Sequence, residues 1–475
     1  MRLTQIIVET RHALSTQIKD KRQMITFKGY DDVIERIFRF NQEDVFRYWD
    51  KLNDKERVEL LEELSKIDLQ MVKDMFSQKT HSFDNEFSPA PYIALPKNED
   101  EKKLFKEAEE IGVKHIKDGK LAAFLVAGGQ GSRLGFNGPK GKFPIGAVSG
   151  KTLFHFHAEK IRAAEIKYNV SIPFLIMTSR DNHEETADFF KEEKFFGLNP
   201  ENVSLFPQNM IPSLDLNGKL ILSGYNTIFM NPDGHGGSLT ALKTSGVLDR
   251  LKADKIETLS YFQVDNPLVK IIDPVFIGFH VMKMADISSK MLQKLYPEER
   301  TGVFVKYSNN TLGIVEYSDM PKEKAGDILY SAANPAIHLF NIRFISKLTD
   351  SGRVNLPYHT AKKKIAGMVE GEVKEFDGYK FEQFVFDALP LTDKNVILEI
   401  LRGEEFAPVK NASGQDSPDS AKELMTALNR QWLKSRGIAI PDKVRSIEIS
   451  PLAALSPEDI SEDIIIPDTE KVFIS

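Results

Sequence analysis

The chain contains no cysteine, which excludes disulfides, thiolate zinc sites and cysteine nucleophiles. It has no apolar run approaching the ~20 residues needed to span a bilayer, so no membrane partner is expected. Its N-terminus, MRLTQIIVETRHALSTQIKDKRQ, lacks a continuous apolar core and carries acids, unlike a signal peptide. Basic residues are not in excess: the net charge of −6 argues against a broad nucleic-acid-binding surface. A cytoplasmic protein is the default expectation. Internal repeats and low-complexity tracts are also missing. What remains is 475 residues with 41% hydrophobic and 28% charged content, a soluble globular composition too long for one core.

The stretch Leu121 to Lys142, LAAFLVAGGQGSRLGFNGPKGK, organises the rest. Seven apolar residues, Leu121 to Ala127, read as a strand buried on both faces. A glycine loop follows, Gly128-Gly129-Gln130-Gly131-Ser132-Arg133-Leu134-Gly135, with Arg133, Lys140 and Lys142 as nearby cations. Successive N–H groups in such a turn form a concave anion site, so the loop points to a polyphosphate. The dinucleotide fingerprint would need glycine at 134, where leucine stands, which leaves a nicotinamide-dependent dehydrogenase as a weaker alternative. Gly146-Ala147-Val148-Ser149-Gly150-Lys151-Thr152 falls one residue short of a P-loop, which leaves a kinase as another.

Around the loop, residues 1–118 read as a mainly helical region. Phe46, Trp49 and Leu52 recur at helical spacing. Asn53 can cap a second helix with Glu56 three residues on, and Val58, Leu61, Leu64 and Ile67 mark its apolar face. Residues 78–98 hold three prolines and read as a long surface connection, and Glu99 to Lys117 as a charged helix. Residues 119–390 alternate strand and helix. Strands are expected at Ile172–Thr178, Thr258–Val264 and Gly302–Lys306, and helices at Leu153–Tyr168, Glu184–Phe190 and Gly237–Leu251. That alternation predicts an α/β, Rossmann-like fold with a mixed, mainly parallel sheet and ligands beyond the carboxyl ends of its strands. Residues 391–475 read as a small β-rich C-terminal domain after a helix near Ala421–Ser435.

The loop together with Pro139-Lys140 resembles the uridylyltransferase signature L-x-x-G-G-x-G-T-R-L-G-x-x-x-P-K, with Ser132 in place of threonine. The family is the eukaryotic-type UDP-sugar pyrophosphorylases, and the similarity is greatest to the N-acetylglucosamine branch. The resemblance implies UTP and a sugar 1-phosphate as substrates and UDP-sugar and pyrophosphate as products. It implies nucleotide contacts at Val126, Ala127, Gly128, Gly129, Gln208, Gly234 and Asp265, and Mg²⁺ held at Asp265. Arg133, Lys140 and Lys380 would carry the transfer, with Lys380 at the α-phosphate. His235, Glu316, Asn334 and Lys410 would bind the sugar phosphate.

Each of these residue types suits its task. An amide donates and accepts at once, as a uracil edge requires, and a carboxylate at a strand end can hold Mg²⁺ against phosphates. Taken alone, Gln208 reads as an exposed loop residue, and Asp265 reads equally well as a turn or cap. Two positions depart from the acetylglucosamine branch. His235 stands where asparagine is usual, and Ile337 replaces an asparagine in Ser331-Ala332-Ala333-Asn334-Pro335-Ala336-Ile337-His338. Both lean toward a plain hexose such as glucose or galactose. A non-catalytic sugar-nucleotide sensor on the same fold is the remaining alternative.

Overall fold

The computed structural model describes residues 25–78 and 86–475; the N-terminal stretch weighed above as a signal peptide lies outside the described residues. The chain gathers into two compact units, each assembled from separated stretches. The smaller comprises Met1–His81, Met210–Gly234 and Pro357–Phe384; the larger comprises Ser82–Asn209, His235–Leu356 and Val385–Ser475.

The larger unit is built on one mixed sheet. Its strands in chain order are β1 (Phe87–Pro89), β2 (Leu121–Val126), β3 (Phe174–Thr178), β4 (Val203–Pro207), β5 (Thr258–Gln263), β6 (Ile287–Gln293), β7 (Val303–Tyr307), β8 (Leu312–Val315), β9 (Ala332–Ala333), β10 (His338–Asn341) and β11 (Asn395–Glu399). The order across the sheet is β1-β7-β9-β6-β10-β5-β2-β3-β4, with β8 also paired to β7 and β11 to β6. Strands β5, β2, β3 and β4 run parallel, in a register that sets Val126 beside both Met177 and Gln263. Their carboxyl ends therefore share one edge. β10 runs antiparallel to β5 and to β6, which makes the sheet mixed.

The apolar run predicted as a central strand is one: Leu121 to Leu125 are all buried. Helices cover the parallel strands. α1 (Glu99–Lys117) is capped by Asn98, and α2 (Leu153–Tyr168) by a reciprocal Thr152–His155 box. The helix expected over Gly237–Leu251 is two, α3 (Gly237–Thr244) and α4 (Val247–Ala253), because Gly246 adopts φ +77° between them. Part of the expected surface connection is also ordered, since Phe87–Pro89 is an edge strand on β7. Near the C-terminus, Ser446–Ile449 pairs in parallel with Lys471–Ile474 over a separate core containing Leu433, Val444, Ile447 and Val472.

In the smaller unit, Asn53 and Glu56 form the predicted capping box on the helix Asp54–Lys66, and Leu61, Leu64 and Ile67 are buried. Phe46, Trp49 and Leu52 are buried too, but Phe46 and Trp49 lie on two 3₁₀ turns, Glu43–Phe46 and Trp49–Lys51, and Leu52 follows the second, rather than all three sharing an α-helix. A spacing of three is the 3₁₀ period and also falls close to the α one. A long hairpin, His359–Val369 with Glu372–Glu382, completes this unit and pairs with Leu214–Asp215.

Candidate active site

The site in the larger unit grows from the ends of the parallel strands. Where β2 stops at Val126, the chain enters the glycine loop. Ala127 N–H still bonds Met177 O at 2.8 Å, so the loop starts from a fixed strand end. It is then closed on itself: Gly131 N–H donates to Gly138 O at 2.9 Å and Lys140 N–H to Gly129 O at 3.0 Å. Ser132–Leu134 forms one 3₁₀ turn, which leaves Ser132 and Arg133 exposed. No ion pair holds Arg133 among the described residues, so its charge remains available to an anion.

Gln208 is brought to this loop. It follows β4, its N–H bonds Thr178 O at 2.7 Å, and the residue is only 8% exposed. Its Oε1 lies so close to Gly128 that a Cβ there would stand 2.4 Å away. A side chain at 128 would therefore displace the glutamine amide from the loop. On the other side of β2, the Lys140 ammonium faces the Asp265 carboxylate at 3.8 Å. Both side chains are largely buried, and the separation exceeds a direct hydrogen bond. Such a loose pair leaves the ammonium able to engage an anion and the carboxylate able to engage a cation.

Asp265 is held by its backbone: its carbonyl accepts from Val409 N–H at 2.8 Å. Lys410 is the next residue, exposed, with its N–H on Asp416 O at 2.7 Å and its ammonium 5.9 Å from the Phe406 ring. Asp265 and Lys410 are therefore brought together although 145 positions separate them (410 − 265). From the α2 side, His157 Nε2–H donates to Val264 O at 3.0 Å, and Lys160 Nζ donates to Pro267 O and Val269 O at 2.5 and 2.8 Å. Burial pushes the His157 imidazole down to about 3 and the Lys160 ammonium down to about 7.

Glu316 and Asn334 also converge. They follow β8 and β9, whose last residues, Val315 and Ala333, both pair with Val303. Gly302 lies between them: Asn334 N–H donates to its carbonyl at 2.9 Å, and a Cβ on it would stand 2.7 Å from Glu316 Oε1. His235 precedes α3 and is oriented by Val385 N–H, which donates to its Nδ1 at 3.1 Å. That bond leaves Nε2 as the protonated nitrogen of the neutral ring. The 3₁₀ turn beginning at Val385 packs against β8, the strand that Glu316 follows. Ile337, in contrast, is 3% exposed and belongs to the hydrophobic core.

In the smaller unit, Gly234 has φ +83°, and a Cβ there would meet Gln383 O at 2.5 Å; only glycine fits. Lys380 lies on the Glu372–Glu382 strand with its ammonium 5.5 Å from the Phe229 ring.

The near-miss P-loop is no phosphate cradle. Its N–H groups at Val148 and Ser149 are already taken by the Glu448 carboxylate at 2.7 and 3.0 Å, and Lys151 pairs with Glu159 at 2.6 Å. The kinase reading falls with it.

One residue that holds the glycine loop is not singled out by the sequence. Asn182 is fully buried; its Oδ1 accepts from Ser179 N–H at 2.8 Å, and its Nδ2 donates to Ala127 O and Gly129 O at 3.1 and 3.4 Å. The Ser-x-x-Asn spacing of a cap after a strand is the available signal.

Among the described residues, no cluster of three or more His, Asp or Glu side chains could hold a metal by itself, and no helix is long and apolar enough to cross a membrane. The chain matches the UTP–glucose-1-phosphate uridylyltransferase family over residues 69–462. It is 34% identical to UDP-N-acetylglucosamine diphosphorylase 2 of Arabidopsis thaliana, with 92% of each chain covered. Among solved structures it is similar to the uridine diphosphate N-acetylglucosamine pyrophosphorylase of Trypanosoma brucei, at 28% identity and TM-score 0.80, covering 95% of this chain and 99% of that one. It also resembles a putative UDP-N-acetylglucosamine pyrophosphorylase of Entamoeba histolytica, at 32% identity and TM-score 0.70, covering 82% and 100%. With the family matched over most of its length and a relative matched end to end, the chain belongs to the UTP–glucose-1-phosphate uridylyltransferase family.

Proposed function

We propose that the protein makes UDP-N-acetylglucosamine and pyrophosphate from UTP and N-acetylglucosamine 1-phosphate. The observation that carries the sugar is the end-to-end similarity to relatives named for that product. The site geometry supports the chemistry. A phosphate oxygen of the sugar phosphate attacks the α-phosphorus of UTP, and the bond from that phosphorus to the β-bridging oxygen breaks. The attacking oxygen is already anionic, so no general base and no covalent nucleophile is needed. Rate enhancement then comes from placement and from cations aimed at developing charge.

Each group has a task in this reading. Gln208, beside Gly128, reads the base edge, which favours the small uracil ring over a purine. Arg133 and Lys140 hold the departing pyrophosphate, and Lys410 the incoming sugar phosphate. Glu316, Asn334 and His235 supply polar contacts to the sugar. Asp265 fits Mg²⁺ only as one carboxylate among ligands drawn mainly from substrate phosphates, a common arrangement for this ion. When bound, the ion would offset phosphate charge. A cytoplasmic setting is proposed on composition alone.

The test is pyrophosphate release with UTP against a panel of hexose 1-phosphates. Highest kcat/KM with the N-acetylglucosamine ester is expected. Preference for glucose or galactose 1-phosphate would overturn the sugar assignment, and no release with any sugar would overturn the reaction.

A further inference from the structure

Asp265 and Lys410 come from distant stretches, yet their separation has to be held within a fraction of an ångström for an in-line transfer. A buried polar seam joins the two stretches, and Asn266 is at its centre. This residue is 4% exposed. Its Nδ2 donates to Glu405 O at 2.7 Å, and its Oδ1 accepts from Ala407 N–H at 3.0 Å and Leu268 N–H at 3.3 Å. Two residues further, Val409 N–H closes onto Asp265 O. The amide thus acts as a substitute strand, meeting alternate backbone groups of 405–409 just ahead of Lys410.

The far side of the seam is itself anchored. The Glu405 carboxylate takes Lys290 Nζ at 2.5 Å, and Lys290, fully buried, also pairs with Asp273 at 2.6 Å. Asp273 caps the helix Pro274–Met282. Glu404 pairs with Lys270 at 2.7 Å. On the near side, His157 and Lys160 of α2 fix the carbonyls of Val264, Pro267 and Val269. Both stretches are therefore rigid up to Asn266, which sets the register between them. A short neutral side chain that both donates and accepts in one plane is required, and only asparagine offers it.

We propose that Asn266 is a positioning residue for the transfer step: it sets the spacing between Asp265 and Lys410 without touching substrate. This rests on the reaction proposed above.

The test is a double-mutant cycle of Asn266→Ala with Lys410→Ala. Pyrophosphate release from UTP and N-acetylglucosamine 1-phosphate is measured at a temperature where circular dichroism shows each variant folded. Misplacing a reacting group by an ångström costs up to about 100-fold, so Asn266→Ala should lower kcat by that order while KM for UTP stays nearly constant. In the Lys410→Ala background the same substitution should cost less than about threefold, because the spacing no longer matters. A purely structural role would lower melting temperature and scale kcat equally in both backgrounds. Should Asn266→Ala fail to fold, Asn266→Ser keeps a neutral polar side chain that is too short to meet Glu405 O and Ala407 N–H together, and the same non-additivity is expected. Additive losses, or wild-type kinetics in the folded variant, would overturn the positioning role. Absence of turnover in the wild type would instead overturn the reaction, so the two failures are distinguishable.

Discussion

Gly128→Ala separates the role of Gln208 from the architecture of the glycine loop. The added Cβ would stand 2.4 Å from Gln208 Oε1 and 3.5 Å from Ser179 N. The second distance is ordinary packing and the first is not tolerable, so Gln208 has to swing away. Gly128 is not among the positive-φ glycines, so alanine introduces no backbone strain. Turning the amide tip costs about 0.5–1.5 kcal/mol if it leaves its rotamer. Fewer unfolded conformations return about 0.4–1 kcal/mol. The net change in stability is therefore under about 1 kcal/mol, close to undetectable in the melting temperature of a chain this long. Binding should respond far more. Removing the hydrogen bond proposed between Gln208 and the base should weaken binding by about 1–3 kcal/mol, or about 10- to 100-fold. The expected result is a rise of that size in KM for UTP, read by pyrophosphate release, with an unchanged melting curve. Gly141→Ala is the control: its Cβ would lie 2.1 Å from the ring of fully buried Phe154, which has nowhere to go. That overpacking should cost about 1–3 kcal/mol. The reasoning is wrong if Gly128→Ala leaves KM for UTP alone, or if it melts as early as Gly141→Ala.

Further outcomes are expected elsewhere. Lys380→Ala should depress turnover by roughly 10²- to 10³-fold, as losing one preorganised donor does. Its ammonium lies near the Phe229 ring, a weak cation–π interaction, so stability should fall by no more than about 1 kcal/mol; a large loss of melting temperature with normal kcat would contradict this. His235→Asn should raise the kcat/KM ratio of acetylated to plain sugar phosphate by about 10- to 100-fold, since the amide can still accept from Val385 N–H while vacating ring volume; an unchanged ratio would mean that His235 does not read the sugar. Acidification should weaken the fold: burial depresses the imidazoles of His157, His280 and His338 to about 3. Below the unfolded value of about 6.5 the unfolded chain binds the extra protons, so stability falls with pH; each ring contributes about 1 kcal/mol by pH 5.5. Equal denaturant midpoints at pH 7.5 and 5.5 would refute it.

Much of this is legible in the sequence, for identifiable reasons. The short, bounded apolar run Leu121–Ala127 fits a buried strand, and the glycine loop after it has the composition of an anion site. Asn53 and Glu56 announce their capping box by spacing alone. The departures are equally specific. Phe46, Trp49 and Leu52 read as α because a spacing of three serves both helix types, and only backbone hydrogen bonds decide between them. Gly246 is absorbed into one long helix because a single glycine is tolerated inside helices; its left-handed conformation is a tertiary choice. Ile337 looks like a pocket residue from its place in a motif, whereas its side chain points into the core.

The least legible layer is the one that fixes the site residues in place. Asn182, Asn266, His157 and Lys160 all spend their side chains on backbone groups of other segments. Such bonds follow no period, since the partner carbonyl can belong to any residue and carries no signature of its own. In sequence, nothing singles out Asn266, or Lys160 among 63 basic residues. Yet a reaction without a general base depends on this layer more than most. Its catalytic groups are fixed charges, and a fixed charge is worth its full electrostatic effect only where no reorganisation is needed. Seating Lys160 in a site that pushes its ammonium down to about 7 is a standing cost to stability at neutral pH. The two carbonyls it holds lie two and four residues beyond Asp265, which is where a rigid backbone gives the most precise placement of that carboxylate.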